Sequence, residues 1–387
     1  MLFERDTVNV TMPDARKQIA TYDFGFDQNT RPKWYSLEST VCWKKNPINV
    51  VEQRLQTLLK EGANSFMNPE WLQPELPPFF DAKKFSLGQR MFNNNVFTMM
   101  VAKLCGLLCL FAIPSIRAVL LFTKQSCTSC AAFRRYVSTI LHTWVWYEKK
   151  PVVEKKFLDS LRIVRKKHCV AFRRSSDAGL DRVSQLDMAL TQFGFVGFTL
   201  LGGDYLGVNN SFDELEGLIH FWRVVGSMLG MEDKYNICSG SVEETRALCR
   251  RLLDEVFLPS LARDIKEFDE MSHALIKALW PMNPYMDSTA FVAFTLTLAS
   301  STATNNNHSL KIDTSNMSWY SKFIFNLQMM THKYLLASAN WWSWIFRAYF
   351  NGQMRLAMYL TENLPFLAFW NFGIKNSYVN IYNYRVM

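Results

Sequence analysis

Apolar residues recur along the chain at intervals of three and four, and no segment sustains the period-two alternation of a half-buried strand, so the pattern predicts an all-α protein. Residues 1–80 read as an irregular arm around one amphipathic helix at 50–61, closed by Pro69, Pro74, Pro77 and Pro78. The arm has too few apolar residues for a core of its own, so Trp34, Trp43 and Trp71 are expected to lie over the main body. Helices are predicted at 82–122, 129–146, 155–174, 184–201 and 211–230, from 241 to a stop at Pro259, and at 265–280 and 287–300. Ser184 with Asp187, and Ser241 with Glu244, have the spacing of a capping box. A polar stretch at 300–318 then precedes an aromatic-rich C-terminal module, which divides the chain into 1–80, 81–300 and 301–387.

Several of these helices carry polar groups on an otherwise apolar face. Within 155–174, Phe157, Leu161, Val164, His168 and Phe172 share one side, while Lys156, Arg162, Lys166, Arg173 and Arg174 occupy the rest. His168 therefore points inward, either as a hydrogen-bonded core residue or as a ligand, since each ring nitrogen needs a partner. In 129–146, Arg135, Thr139, His142 and Trp146 form a column that either faces solvent or is buried with partners. The helix at 184–201 is apolar nearly all round and should be central, with Gly194 and Gly197 permitting close backbone approach. Asp187 and Thr191, one turn apart in it, read as a capping acid and a back-bonded hydroxyl. In 211–230, Glu216, His220 and Arg223 lie opposite the buried face and read as an ion network. The run 104–122 is long enough to cross a membrane, but Pro114 and Arg117 interrupt it. A buried helix pair broken at Pro114 is the other reading.

Charge sharpens this picture. The net charge is +9, and the interval 82–147 contains no acid while carrying Lys83, Lys84, Arg90, Lys103, Arg117, Lys124, Arg134 and Arg135. So basic and so apolar a stretch suits an anionic cofactor or a membrane surface, and no zinc-finger, RNA-recognition or basic-zipper pattern argues for nucleic acid. From 314 onward Glu362 is the single acid against six Lys and Arg, and six of the ten residues at 341–350 are aromatic, a composition suited to an interfacial anchor. The N-terminus, with Glu4, Arg5 and Asp6 and no apolar run behind them, reads as lacking a signal peptide. The expected location is therefore intracellular, cytoplasmic or at the ER membrane. Of eight cysteines only Cys127 and Cys130 form C-x-x-C, without a second pair, so free thiols are expected rather than a zinc site.

No Gly-rich phosphate loop, H-E-x-x-H or G-x-S-x-G occurs. An inward histidine, an Arg/Thr column and apolar walls are what a haem pocket requires: an axial ligand, cations for the propionates and a lining for the macrocycle. Arg135 and Arg165 are the candidate cofactor-binding cations, with His168. The succession FRRYVST, VRKKHCVAFRR, SQLDMALTQFGFVGF and LEGLIHFWRVVGSMLGMED resembles the family of latex-clearing protein (rubber oxygenase) and the fungal ER-bound oxygenases, and is closest in pattern to its arthropod members. The resemblance spans 83–300. It implies a multi-helix core around haem b with globin-like helix packing, and O₂-dependent cleavage of a carbon-carbon double bond in a lipophilic isoprenoid. It also implies that His168 is the axial iron ligand, and that Arg135 and Thr139 are the catalytic polar pair beside the haem. Rubber oxygenase carries an acid upstream of that pair, and the acid-free interval here departs from it.

Overall fold

Side-chain caps start many of the helices where the sequence supplies Ser, Thr or Asp. The computed structural model describes residues 47–68, 75–126, 128–263, 265–304, 310, 312, 314–337 and 340–382. Most of the expected N-terminal arm, including Trp34, Trp43 and Trp71, lies outside them, as does Cys127. Helix α1 (Pro47–Gln56) runs on through a wider π turn to Gly62. Next come α2 (Ala82–Asn94), capped by Asp81, α3 (Val96–Phe111), α4 (Pro114–Phe122) and α5 (Ser129–Glu148), capped by Thr128. Helix α6 (Lys155–Asp177) precedes α7 (Gln185–Leu201), the short α8 (Gly203–Leu206) and α9 (Phe212–Met228). Full capping boxes form at Ser184/Asp187, at Ser211/Glu214 and at the start of α10 (Val242–Leu252), where Ser241 pairs with Glu244.

The chain does not stop at Pro259, as its sequence predicts. A π turn carries α10 into α11 (Leu258–Leu261), where Pro259 sits in the first turn and its missing N–H costs little. Helices α12 (Lys266–Leu279), α13 (Ser288–Thr302), α14 (Trp319–Met330), α15 (Ser343–Asn363), α16 (Phe366–Phe372) and α17 (Ile374–Ser377) complete the fold. Among the described residues there is no strand, only an isolated bridge between Phe66 and Ser184. The fold is all-α.

Two helix pairs, α2 with α9 and α3 with α7, make the most extensive contacts and form the centre. Each crosses on a pair of glycines. A Cβ on Gly88 would lie 2.5 Å from the Gly217 carbonyl oxygen, and one on Gly106 only 2.1 Å from that of Gly194. The close approach expected of Gly194 is thus to α3, whereas Gly197 makes room for the Phe193 ring of its own helix. Between α2 and α3 the axis bends by 95°. Asn95 holds this corner: fully buried, it donates to the Met91 and Asn209 carbonyls and accepts from the Asn209 amide and from Arg347.

The 104–122 run is broken at Pro114, as one of the two readings has it, and no single helix among the described residues is long and apolar enough to cross a membrane. Its arginine is accounted for, because Arg117 donates to the Phe111 and Ala112 carbonyls at the end of α3. The described residues from Pro47 onward fall within one compact unit. Arg347 on α15 explains why, reaching into the core to donate to the Gly207 and Leu336 carbonyls. On α9, Glu216 pairs with Lys84 and Arg223 with Asp233, while His220 accepts from the Asp81 amide.

His332, after α14, is 2 % exposed, donates Nδ1–H to the Leu206 carbonyl at 2.9 Å and lies between the rings of Phe97 and Phe294. Burial, partly offset by that hydrogen bond, pushes its pKa down to about 4. Between that value and about 6.5 the unfolded chain binds the extra proton, so this contribution to stability is complete above pH 6.5 and is lost as pH falls. The slope approaches about 1.4 kcal/mol per pH unit. The urea midpoint should therefore drop between pH 7 and pH 5, and less so in His332→Gln, which can still donate to Leu206 but does not titrate. Equal drops in both proteins would show that His332 is not the group responsible.

Candidate functional site

Helices α3, α5, α6 and α7, closed by parts of α9, α14 and α15, surround a cavity of about 1470 Å³. Its wall forms because the apolar stripe of α6 outruns the packed core. Phe157 and Leu161 are fully buried, whereas Val164, His168 and Phe172 are half-buried and turn their remaining surface to the cavity. The column on α5 faces the same space, so Arg135, Thr139, His142 and Trp146 are cavity residues rather than a solvent stripe.

His168 has an enclosed Nδ1 with no hydrogen-bond partner, and its ring stacks on Phe172 at 5.6 Å. Burial, with the cations of Arg165, Arg135 and Lys167 adding to it, pushes its pKa down to about 4, so the imidazole is neutral at physiological pH and keeps a lone pair for a metal. His142 differs. It is 2 % exposed, its Nδ1 lies 2.8 Å from the Ser160 hydroxyl that also accepts from Trp146, and its enclosed Nε2 has no partner. Burial and the nearby Lys167 push its pKa down to about 3.

Arg135 donates from Nη1 to Thr123 at 3.0 Å and to Ser126 at 3.4 Å, both hydroxyls in the α4–α5 connection, and desolvation pulls its pKa below the ordinary arginine value. One turn on, the Thr139 hydroxyl donates to the Arg135 carbonyl at 3.1 Å, which leaves its lone pairs available towards the cavity. Arg165 is placed otherwise than the sequence reading expects. It is buried outside the cavity wall, donates to the Leu229 carbonyl at 2.5 Å, and its guanidinium fills the space that a Cβ on Gly230 would need. Its charge serves the turn after α9 and reaches His168 only through space.

Sequence reasoning did not single out Lys103, Thr143 or Lys167, which line the same cavity. Lys103 was legible in principle as a lone cation on a helix apolar almost all round, three or four residues from Met100 and Leu107. Asp187 is the only carboxylate in the wall among the described residues, and both of its oxygens are hydrogen-bonded. It accepts from the Ser115 hydroxyl at 2.6 Å and from both the amide and the hydroxyl of Ser184 at 2.8 Å. Thr191 back-bonds to the Asp187 carbonyl, so the capping reading of both residues holds. No group of three His, Cys, Asp or Glu among the described residues can hold an ion unaided. A metal at His168 must bring its own ligands, as a porphyrin does.

No curated protein matches the chain. Among solved structures, one described as "Structure of Latex Clearing Protein LCP in the closed state" is similar at 13% identity and a TM-score of 0.44, over 81% of this chain and 88% of that one. Residues 90–306, more than half the chain and most of the cavity wall, match the family described as "ER-bound oxygenase mpaB/B'/Rubber oxygenase, catalytic domain", and the protein belongs to that oxygenase family.

Proposed function

We propose that this protein is a haem-dependent oxygenase that oxidises a double bond in a lipophilic, isoprenoid-type substrate, with O₂ as co-substrate. The observation that carries the reading is the neutral imidazole of His168, half-buried on the wall of a large apolar cavity beside Arg135. His168 would hold the iron, and Arg135 would pair with an anionic edge of the macrocycle. Haem b, when bound, supplies the redox centre at which O₂ becomes reactive. The chain supplies the rest. Thr139 offers a hydroxyl oxygen as acceptor, and Leu104, Leu107, Val119 and Phe195 exclude water and hold a hydrocarbon chain. Asp187, the one carboxylate in the wall among the described residues, already accepts three hydrogen bonds that cap α7 and tie it to α4, so the acid-assisted step expected from the resemblance is not part of the proposed reaction. Purified protein supplied with haem should develop a Soret band and consume O₂ with a polyprenoid substrate; a protein that takes up no haem refutes the reading. Haem uptake without O₂ consumption would instead support a non-catalytic haem or lipid carrier, which the acid-free interval at 82–147 favours.

The substrate's route supports membrane contact at a cytoplasmic or ER face. Trp341, Trp344, Trp370 and Ile374 are each more than 60% exposed, and α15 and α16 supply Tyr349, Leu356 and Leu367 to the cavity wall. A face of Trp and Tyr beside basic residues fits the interfacial region of a bilayer. The protein should float with phosphatidylcholine vesicles containing phosphatidylserine, and Trp344→Ser/Trp370→Ser should reduce flotation severalfold. An unchanged distribution would remove this face from the proposal.

A further inference from the structure

Five cations line the cavity among the described residues, Lys103, Arg134, Arg135, Lys167 and Arg174, against the single, hydrogen-bonded carboxylate of Asp187. Lys103 is the one set in hydrocarbon. It extends from the apolar helix α3 towards α5, where Nζ donates to the Thr143 hydroxyl at 2.8 Å and lies 5.9 Å from the centre of the Phe195 ring. Thr143 spends its own proton on the Thr139 and Ile140 carbonyls, so it can only accept from the lysine. No carboxylate lies within 4 Å of Nζ among the described residues, and two of the three ammonium protons face no protein acceptor.

We propose that Lys103, steadied by Thr143, is the seat of a carboxylate, and that the cavity therefore takes a lipophilic acid whose headgroup pairs with Lys103 while its chain lies along the apolar wall. A single ammonium with two open donors matches one carboxylate better than a neutral alcohol or a hydrocarbon, either of which leaves its charge uncompensated. Burial without a counter-ion pushes the Lys103 pKa down to about 7, a cost that an arriving carboxylate relieves. The same carboxylate chemistry could come from a haem propionate, so the test separates the two sources. The inference names the substrate class for the proposed function. It rests on the cavity being the ligand chamber and not on haem occupying it.

Oleate and oleyl alcohol, identical except for the headgroup, should be titrated into the full-length protein at pH 7.5 by calorimetry, with haem loading of each variant recorded by its Soret band. Wild type should bind oleate at least tenfold more tightly than the alcohol. Lys103→Met should lose that preference while still binding the alcohol, and Lys103→Arg should keep most of it. Retained alcohol binding by Lys103→Met also shows that the variant is folded. Equal binding of the two probes by wild type, binding of neither, or an unchanged preference in Lys103→Met would overturn the proposal. So would a loss of haem loading in Lys103→Met with the oleate preference intact, because the carboxylate served would then be the propionate. If no variant takes up haem but the oleate preference follows Lys103, the oxygenase reading fails and the acid seat stands.

Discussion

His168→Ala is expected to abolish stable haem uptake: the purified variant, supplied with haem, should show at least a tenfold loss of retained Soret absorbance. His142→Ala is expected to keep it. Both imidazoles face the cavity and both are held neutral by burial, but they are not equally placed. His142 is 2 % exposed whereas His168 is half-buried, so a macrocycle could reach His142 only by repacking α5 against α6. Its hydrogen-bonded Nδ1 locks the ring into a network with Ser160 and Trp146. His168 instead turns accessible surface to the cavity, near the charge of Arg135. The variants carry opposite structural costs. His142→Ala leaves Ser160 without one partner and should lower stability, whereas His168→Ala removes a group with an unsatisfied nitrogen and should leave the apo fold intact. If the spectra reverse, with His142→Ala losing the band, the iron assignment moves to α5.

The second large effect belongs to the helix crossing under the cavity. Gly106→Ala should destabilise the fold by roughly 3 kcal/mol, read as a drop in urea midpoint at unchanged slope. The added Cβ would meet the Gly194 carbonyl oxygen, its carbonyl carbon and its Cα, all within 2.8 Å, and backbone on both sides cannot swing away as a side-chain tip could. Relief requires α3 and α7 to separate. Both helices line the cavity, so any ligand affinity measured on the variant should fall as well. Gly352→Ala, on α15 with open space at its Cβ, is the control and should be neutral or slightly stabilising because alanine is the better helix former. A Gly106→Ala cost below about 1 kcal/mol would mean that the crossing is looser than described.

The sequence by itself determined the class of fold, because a 3.6-residue period is a local property of the chain, and so are the caps at Ser184 and Ser241, whose side chains need only reach three residues along. It also marked His168 and Arg135 as polar groups on the apolar faces of successive helices, and ordered motifs tied them to one family. Spacing along a helix says which side a residue is on but not what that side meets. Only tertiary packing could show that the α5 column faces a cavity instead of water, that Arg165 is spent on the Leu229 carbonyl, and that Arg347 binds the C-terminal helices into the main body. Pro259 is passed because a π turn shifts the hydrogen-bond register ahead of it, which residue type alone does not encode. Lys103 shows the same limit. Its charge was visible in the acid-free interval, but its isolation depends on where α5 and α7 bring their side chains, and that was decided by the glycine-to-glycine approach of α3 and α7.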